Sequence, residues 1–294
     1  MLSCLEPCVF NQNMHQLRLA RAKERFVPGN DFLLTRCVED MLERLSAVNM
    51  TFEKALLLFG RSDAAAQLLE DSPQIEELIR VEDAHHIGAA QHTAKPDLLN
   101  LPDQSVDLII APLTLHWSND LPGTLIQIKR ALKPNGLFLG NLPGPDTLQE
   151  LRHSLLQAES EISGGAANRV DAFTDIRDAG GLLQRAGLAI PVVDREAVTV
   201  RFDSVFDLVR DLRSFGATSH FDSTEKPNLT REIIARMAQI YADQFADPDG
   251  RVRATFDIVS MSGWAPHESQ QKPLRPGSAK ARLADALKTD EKKF

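Results

Sequence analysis

His116 and Trp117 are the residues of this 294-residue chain best suited to chemistry. They follow the apolar stretch at residues 105–111 by a few positions, so a strand would deliver them to the mouth of a sheet. A histidine there can act as a general base or as a substrate contact. The plainer alternative is a histidine hydrogen-bonded to the backbone with Trp117 packed over it. His85 and His86 are adjacent, which aims their rings apart and fits a solvated turn better than a metal site. His267 and Glu268 would need a third ligand that no spacing fixes, and Cys4 and Cys8 have no second ligand pair, so no metal is expected. Arg152, Arg169, Arg177 and Arg213 could hold an acidic segment of a substrate, although such arginines more often pair with neighbouring carboxylates. The sequence carries neither a Gly-x-Ser-x-Gly elbow nor a Walker loop.

The elements that must position these residues alternate between short apolar runs and amphipathic helices. Residues 54–59 form an apolar run ended by Gly60, and a helix is expected over 64–70. Residues 78–81 read as a weaker strand ending at Glu82 and Asp83, and 105–111 as a strong one. The next helix carries Leu121, Leu125, Ile128 and Leu132 on one face, starts near Pro122 and stops at Lys133-Pro-Asn-Gly136; residues 137–140 resume as a strand. Such alternation predicts βαβ units and a mainly parallel sheet with its loops gathered on one edge. Further on, Thr147-x-x-Glu150 has the spacing of a capping box, opening a helix with Leu148, Leu151 and Leu155 inward. A loop is expected at 163–168, a helix over 175–186 closed by Gly187, and two hairpin arms at 190–193 and 197–202. Helices over 204–215 and 229–245 and a late strand over 252–260 follow. The spacing of Leu17, Ala20, Arg21 and Glu24 fits an amphipathic helix near the start. Together these predict a helical segment at 1–50, an α/β domain at 51–203, a helical and strand addition at 204–266 and a polar, partly disordered tail at 267–294.

Charge narrows the partners. Lys plus Arg number 33 against 41 Asp plus Glu, a net charge of -8, which argues against a nucleic-acid binder. Three cysteines are too few and too odd for a disulfide framework, so a reducing compartment is expected. No apolar run approaches the roughly 18 residues that span a bilayer. The basic, nearly acid-free segment 9–25 has the composition of a transit peptide, but an ordered amphipathic helix is the preferred reading.

The run Asp103-Gln-Ser-Val-Asp-Leu-Ile-Ile-Ala-Pro-Leu-Thr-Leu-His-Trp117 resembles the fourth-strand signature of class I S-adenosylmethionine-dependent methyltransferases. Leu132-Lys-Pro-Asn-Gly-Leu-Phe138 resembles their turn into the fifth strand, and residues 189–202 their closing hairpin. The resemblance implies an α/β, Rossmann-like fold: a mostly parallel seven-stranded sheet, helices on both faces, and helical additions at the N-terminus and in the C-terminal half. It implies S-adenosylmethionine as cofactor, with Gly60 in the binding loop and Leu113 lining the open side. Glu82, 22 positions beyond Gly60, would reach a ribose hydroxyl, and Asp97 would lie near the adenine; a surface acid and a turn-capping aspartate are the alternatives for these two. The loop itself departs from the family. In Ala55-Leu-Leu-Leu-Phe-Gly-Arg-Ser-Asp-Ala64, Leu57 stands where an acid belongs, and Phe59 and Asp63 stand where glycines belong. Bulky side chains there obstruct the close backbone approach that glycine permits, so the cofactor loop is read as degenerate.

A narrower likeness involves Val9-Phe-Asn11, Leu115-His-Trp-Ser-Asn-Asp-Leu-Pro122, Asp146-Thr-Leu-Gln-Glu-Leu-Arg152 and Gly263-Trp-Ala-Pro-His-Glu-Ser269. It is similar to the branch containing the mitochondrial complex I assembly factor that hydroxylates an arginine, and its bacterial relatives named after malonyl-carrier-protein O-methyltransferase. This implies a protein substrate such as a complex I subunit, and a bacterial cytoplasm or a mitochondrial matrix as location; His116 and Trp117, by their place at the mouth of the sheet, are the catalytic candidates. A carrier-protein O-methyltransferase and a non-catalytic assembly chaperone are the competing readings.

Overall fold

Period-two burial builds the sheet. In β1 (Phe52–Leu58), Ala55 and Leu57 face one layer, while Leu56 and Leu58 face the other. β4 (Val106–Ala111) repeats the pattern with Leu108 and Ile110 on the first face and Ile109 and Ala111 on the second. Both strands are buried on both sides, which is why they read as continuous apolar runs. The computed structural model describes residues 9–85, 89–171, 173–221 and 228–271.

The remaining strands are β2 (Ile75–Glu82), β3 (His92–Thr93), β5 (Leu132–Pro143), β6 (Ala189–Phe202) and β7 (Val252–Trp264). They form one seven-stranded sheet of order β3-β2-β1-β4-β5-β7-β6, in which β7 runs antiparallel to both neighbours and the other pairs are parallel. Helices α2 (Phe32–Ser46) and α3 (Asp63–Glu70) cover the Leu57 face, and α4 (Leu121–Ala131) and α6 (Ile176–Arg185) cover the other. This is the Rossmann-like layering expected from the alternation.

A third apolar cluster forms a cap at one end. It joins α5 (Gln149–Ser163), α7 (Val205–Ser214) and α8 (Arg231–Phe245) to the outer halves of β6 and β7, through Leu151, Leu155, Leu208, Met237, Tyr241 and Phe256. α1 (Gln12–Arg25) packs on α7. Among the described residues no helix is long and apolar enough to cross a membrane.

Three local expectations need correction. The two hairpin arms at 190–193 and 197–202 are one strand, β6, whose partner is β7, some fifty residues later. The boundary at residue 203 therefore cuts through this pairing, and the last strand of the 204–266 segment completes the main sheet. Thr147 and Glu150 do not make a capping box: Leu148 holds the N-cap position with φ 55° and no side-chain cap. β5 stops pairing with β7 at Pro143, opposite Ile258. Beyond that point Thr147 Oγ1 accepts from the Asp257 N–H (3.1 Å), and the Glu150 carboxylate accepts from the Thr255 N–H (3.0 Å). Unpaired strand groups therefore claim both side chains. α1 is amphipathic as expected, but His15, Leu19 and Ala22 form its buried stripe and Leu17 is exposed.

Candidate functional site

The chain leaves β1 through Phe59, Gly60 and Arg61. Phe59 (φ 53°) and Arg61 (φ 60°) both adopt the left-handed region, at a cost of roughly 1–2 kcal/mol each. Leu57 fills the space beneath this turn: a Cβ on Gly60 would stand 2.4 Å from Leu57 Cδ2, so glycine is required once leucine is there. The Arg61 N–H donates to both oxygens of Glu82, at 3.1 and 3.0 Å, and Arg80 Nη2 adds a contact at 3.3 Å. Arg80 also binds Asp63. Glu82 is fully buried at the end of β2, and burial pushes its carboxyl up to about 7 against the opposing pull of the Arg61 N–H and Arg80.

The Arg61 side chain runs from this loop into a nest of rings. Its guanidinium lies between Trp117, 5.2 Å from the ring centroid, and Phe215, at 5.0 Å. Only 1% of the residue is exposed, and Nε and Nη1 have no hydrogen-bond partner among the described residues. Burial lowers its pKa, with Asp83 and Glu82 opposing.

Trp117 ends a 3-10 turn (Leu115–Trp117) that follows β4 and the left-handed Leu113 (φ 50°). Three imidazoles surround its indole: His116 at 4.3 Å between centroids, His15 at 4.8 Å and His220 at 5.5 Å. Asp171 accepts the His220 backbone N–H at 3.1 Å on each oxygen. Burial drives His116 down to about 3, with His220 and Arg61 adding to the effect and Asp171 opposing. Burial, then His220 and Arg61, takes His15 down to about 2. Both rings are therefore neutral at physiological pH, so His116 can accept or donate a hydrogen bond but carries no charge.

Beside this nest lies a cavity of about 100 Å³, walled by Leu113, His116, Trp117, Phe173 and Phe215. Its lining includes three carboxylates, those of Asp31, Asp171 and Asp211, and among the described residues no lysine or arginine. An outer groove of about 600 Å³ shares Asp171 and Phe173 with it and has the opposite character, being lined by Arg18, Arg21, Arg25, Arg169 and Arg213.

Of the residues singled out by sequence, Gly60, Glu82, Leu113, His116 and Trp117 all lie at the ends of parallel strands on one edge, and Arg61 links the first pair to Trp117. Leu113, His116 and Trp117 line the cavity; Gly60 and Glu82 do not. Asp97 has the turn-capping position, its Oδ1 accepting from Ser118 Oγ (2.6 Å) and the Asn119 N–H (2.8 Å), and so braces the segment after Trp117. His267 Nδ1 pairs with Ser269 Oγ at 2.7 Å. His85 donates its N–H to Asp83; His86, Cys4 and Cys8 lie outside the described residues. Arg152 binds the carbonyls of Pro145 and Thr147, and Arg169 pairs with Glu159 at 2.6 Å. Sequence reading missed Arg61, His15, Asp171, Phe215 and His220. His15 had a signal, since it lies on one helical stripe with Leu19 and Ala22; His220 and Phe215 arrive from a distant segment and had none.

A mostly parallel sheet with a reversed seventh strand, an acid ending β2 and an aromatic turn after β4 together define the class I methyltransferase fold. Residues 64–140 match the methyltransferase domain family. The crystal structure of YcgJ from Bacillus subtilis shares the fold, with a TM-score of 0.51 at 13% identity, over 79% of this chain and 99% of that one. The mitochondrial arginine-hydroxylase NDUFAF5 of Danio rerio is 36% identical over 268 residues, covering 88% of this chain and 83% of the relative. That of Dictyostelium discoideum is 44% identical, but the match spans 63% of this chain and 42% of the longer relative. A malonyl-[acyl-carrier protein] O-methyltransferase of Gallionella capsiferriformans is 31% identical over 59% of this chain and 57% of the relative. The chain belongs to the NDUFAF5 arginine-hydroxylase family.

Proposed function

We propose that the chain hydroxylates an arginine of a protein client during assembly of respiratory complex I, with the cavity beside His116 and Trp117 receiving the side chain. The observation that carries this is the 36% identity over 88% of the chain, a span that takes in part of the cap as well as the sheet. The carrier-protein methyltransferase match covers only 59%. Function on a shared fold sits in what is grafted onto it, and here residues 1–50 and 204–251 are taken as the grafted parts. The arginine-lined outer groove suits an acidic stretch of the client. In a bacterium the setting is the cytoplasm, and in a eukaryote the mitochondrial matrix.

Hydroxylation places one atom of dioxygen in a C–H bond and releases the other as water, using two electrons and two protons from a reductant. The part assigned to this chain's residues is to hold and orient the client. S-adenosylmethionine fits the arrangement poorly. Both oxygens of the expected ribose acid, Glu82, accept the Arg61 N–H, and Leu57 and Phe59 occupy the loop.

The test is genetic. Deleting the gene should lower assembled complex I without creating a need for biotin, and His116→Ala should fail to rescue at normal protein level. Biotin auxotrophy with intact complex I would overturn the reading in favour of carrier-protein methylation. Full rescue by His116→Ala would favour a non-catalytic chaperone.

A further inference from the structure

We propose that the space between the Trp117 and Phe215 rings is a seat for a client guanidinium, and that Arg61 of this chain fills it until a client arrives. This rests on the reading that the client side chain is an arginine.

A planar guanidinium stacks on aromatic faces, and the seat already holds one in that manner, 5.2 and 5.0 Å from the two ring centroids. The wall is shaped for a flat group. Gly216 lies against it at φ 72°, and a Cβ there would come within 3.3 Å of Arg61 Nη2. Yet the present occupant is poorly satisfied: two of its nitrogens, Nε and Nη1, are buried without a hydrogen-bond partner among the described residues. A buried cation with unused donors is held at a cost. Its loop is strained as well, with left-handed φ at both Phe59 and Arg61.

The cavity opens onto the same two rings. It shares the Trp117 and Phe215 walls with the seat, and Asp31 and Asp211 are among its lining residues; its third acid, Asp171, is already engaged by the His220 N–H. Burial raises the Asp211 carboxyl, and no cation opposes the shift. An arginine entering through the cavity would meet these acids along its stem and end between the rings. Arg61 would then have to leave, breaking its contact with both rings.

The experiment compares the full-length chain with its Arg61→Ala variant, using N-acetyl-arginine amide as probe, N-acetyl-lysine amide as control, and calorimetry with tryptophan fluorescence as readouts. Emptying the seat should tighten arginine-analogue binding at least tenfold over the unaltered chain and leave the lysine analogue unchanged. Millimolar guanidinium chloride should raise the Tm of the variant more than that of the parent. Phe215→Leu added to Arg61→Ala should cancel the gain. Should Arg61→Ala not fold, Arg61→Gln, which keeps most of the stem, carries the same expectation. A folded variant with parental affinity overturns the proposal. So does one that gains affinity for S-adenosylmethionine but not for the arginine analogue, because Arg61 would then be blocking the cofactor. Binding is read without turnover, so the two readings fail separately. Arginine binding without hydroxylation would remove the enzymatic reading alone. Hydroxylation with no gain on Arg61→Ala would remove the placeholder alone.

Discussion

Two neighbouring stretches of one sheet edge have been built in opposite ways. Above β1 and β2, Leu57, Phe59, Arg61 and Glu82 are all buried, Leu57 lies beneath Gly60 and Glu82 accepts the Arg61 N–H, so the turn is filled from within. Above β4 and β5, Leu113, His116 and Trp117 line a cavity that Phe173 and Phe215 of the cap complete. Strand order is the same for both, so topology selects the edge at which ligands gather but not which half of it stays open. Side-chain volume at a few loop positions makes that choice. Leu57 and Gly60 show how tightly the choice is fixed: the leucine occupies the very space a Cβ at residue 60 would need.

The contrast can be broken most forcefully at Leu57. Leu57→Asp would put an unpaired carboxylate among Val38, Ala65 and Leu108. An uncompensated buried charge costs about 3–5 kcal/mol, and a thermal melt should show a fall of roughly 10 °C. A Tm within 2 °C or so of the parent would mean the closed half is not packed as described. Adding Phe59→Gly and Asp63→Gly to that variant asks whether the half can be reopened. Calorimetry should give the parent chain a Kd for S-adenosylmethionine above roughly 100 μM, and the triple variant should bind tighter if it folds. Low-micromolar binding by the parent would contradict the closed loop directly.

Trp117→Ala should come next, at about 3–5 kcal/mol, since the indole touches three imidazoles and a guanidinium. The pH response of Glu82 is smaller and has a definite sign. Its carboxyl is raised by burial, so its contribution to stability is full below the ordinary value near 4.5 and is lost as the pH rises through about 7. Glu82→Gln cannot ionise, so its Tm relative to the parent should climb between pH 5 and pH 8. A constant difference would argue that Glu82 is not desolvated. The lowered histidines act on the other side: stability from His15 and His116 is full above their ordinary value of 6.5 and is lost as the pH falls toward about 3. His116→Ala should move the Tm least, by a few degrees at most, because its Nδ1 has no partner to lose. A drop as large as that of Trp117→Ala would make His116 a packing residue rather than part of a working site.

Much of this arrangement was legible from residues alone. Buried strands such as β1 and β4 declare themselves as apolar runs, and the Leu121-Leu125-Ile128 stripe located α4. What stayed hidden was long-range. Nothing near residue 202 indicates that its strand partner waits at residue 252, and nothing near Thr147 or Glu150 shows that the free edge of β7 will claim them ahead of a local cap. His15 and His220 meet across 205 positions of chain, with ring centroids 4.8 Å apart, a contact only the folded cap creates.

The register of β6 and β7 has an engineering consequence. Phe202 and Val252 face each other directly as the last pair of their ladder. Everything between them is a closed excursion that departs from and returns to one rung. A two-residue Asn-Gly turn could bridge that rung, since such turns join antiparallel neighbours without disturbing their twist. Residues 203–251 thus leave and re-enter the sheet at one rung, while α7 and α8 within them bury the apolar face of α5 and the outer halves of β6 and β7. A chain shortened in this way would lose Phe215 and Asp211, and with them the wall of the cavity opposite Trp117.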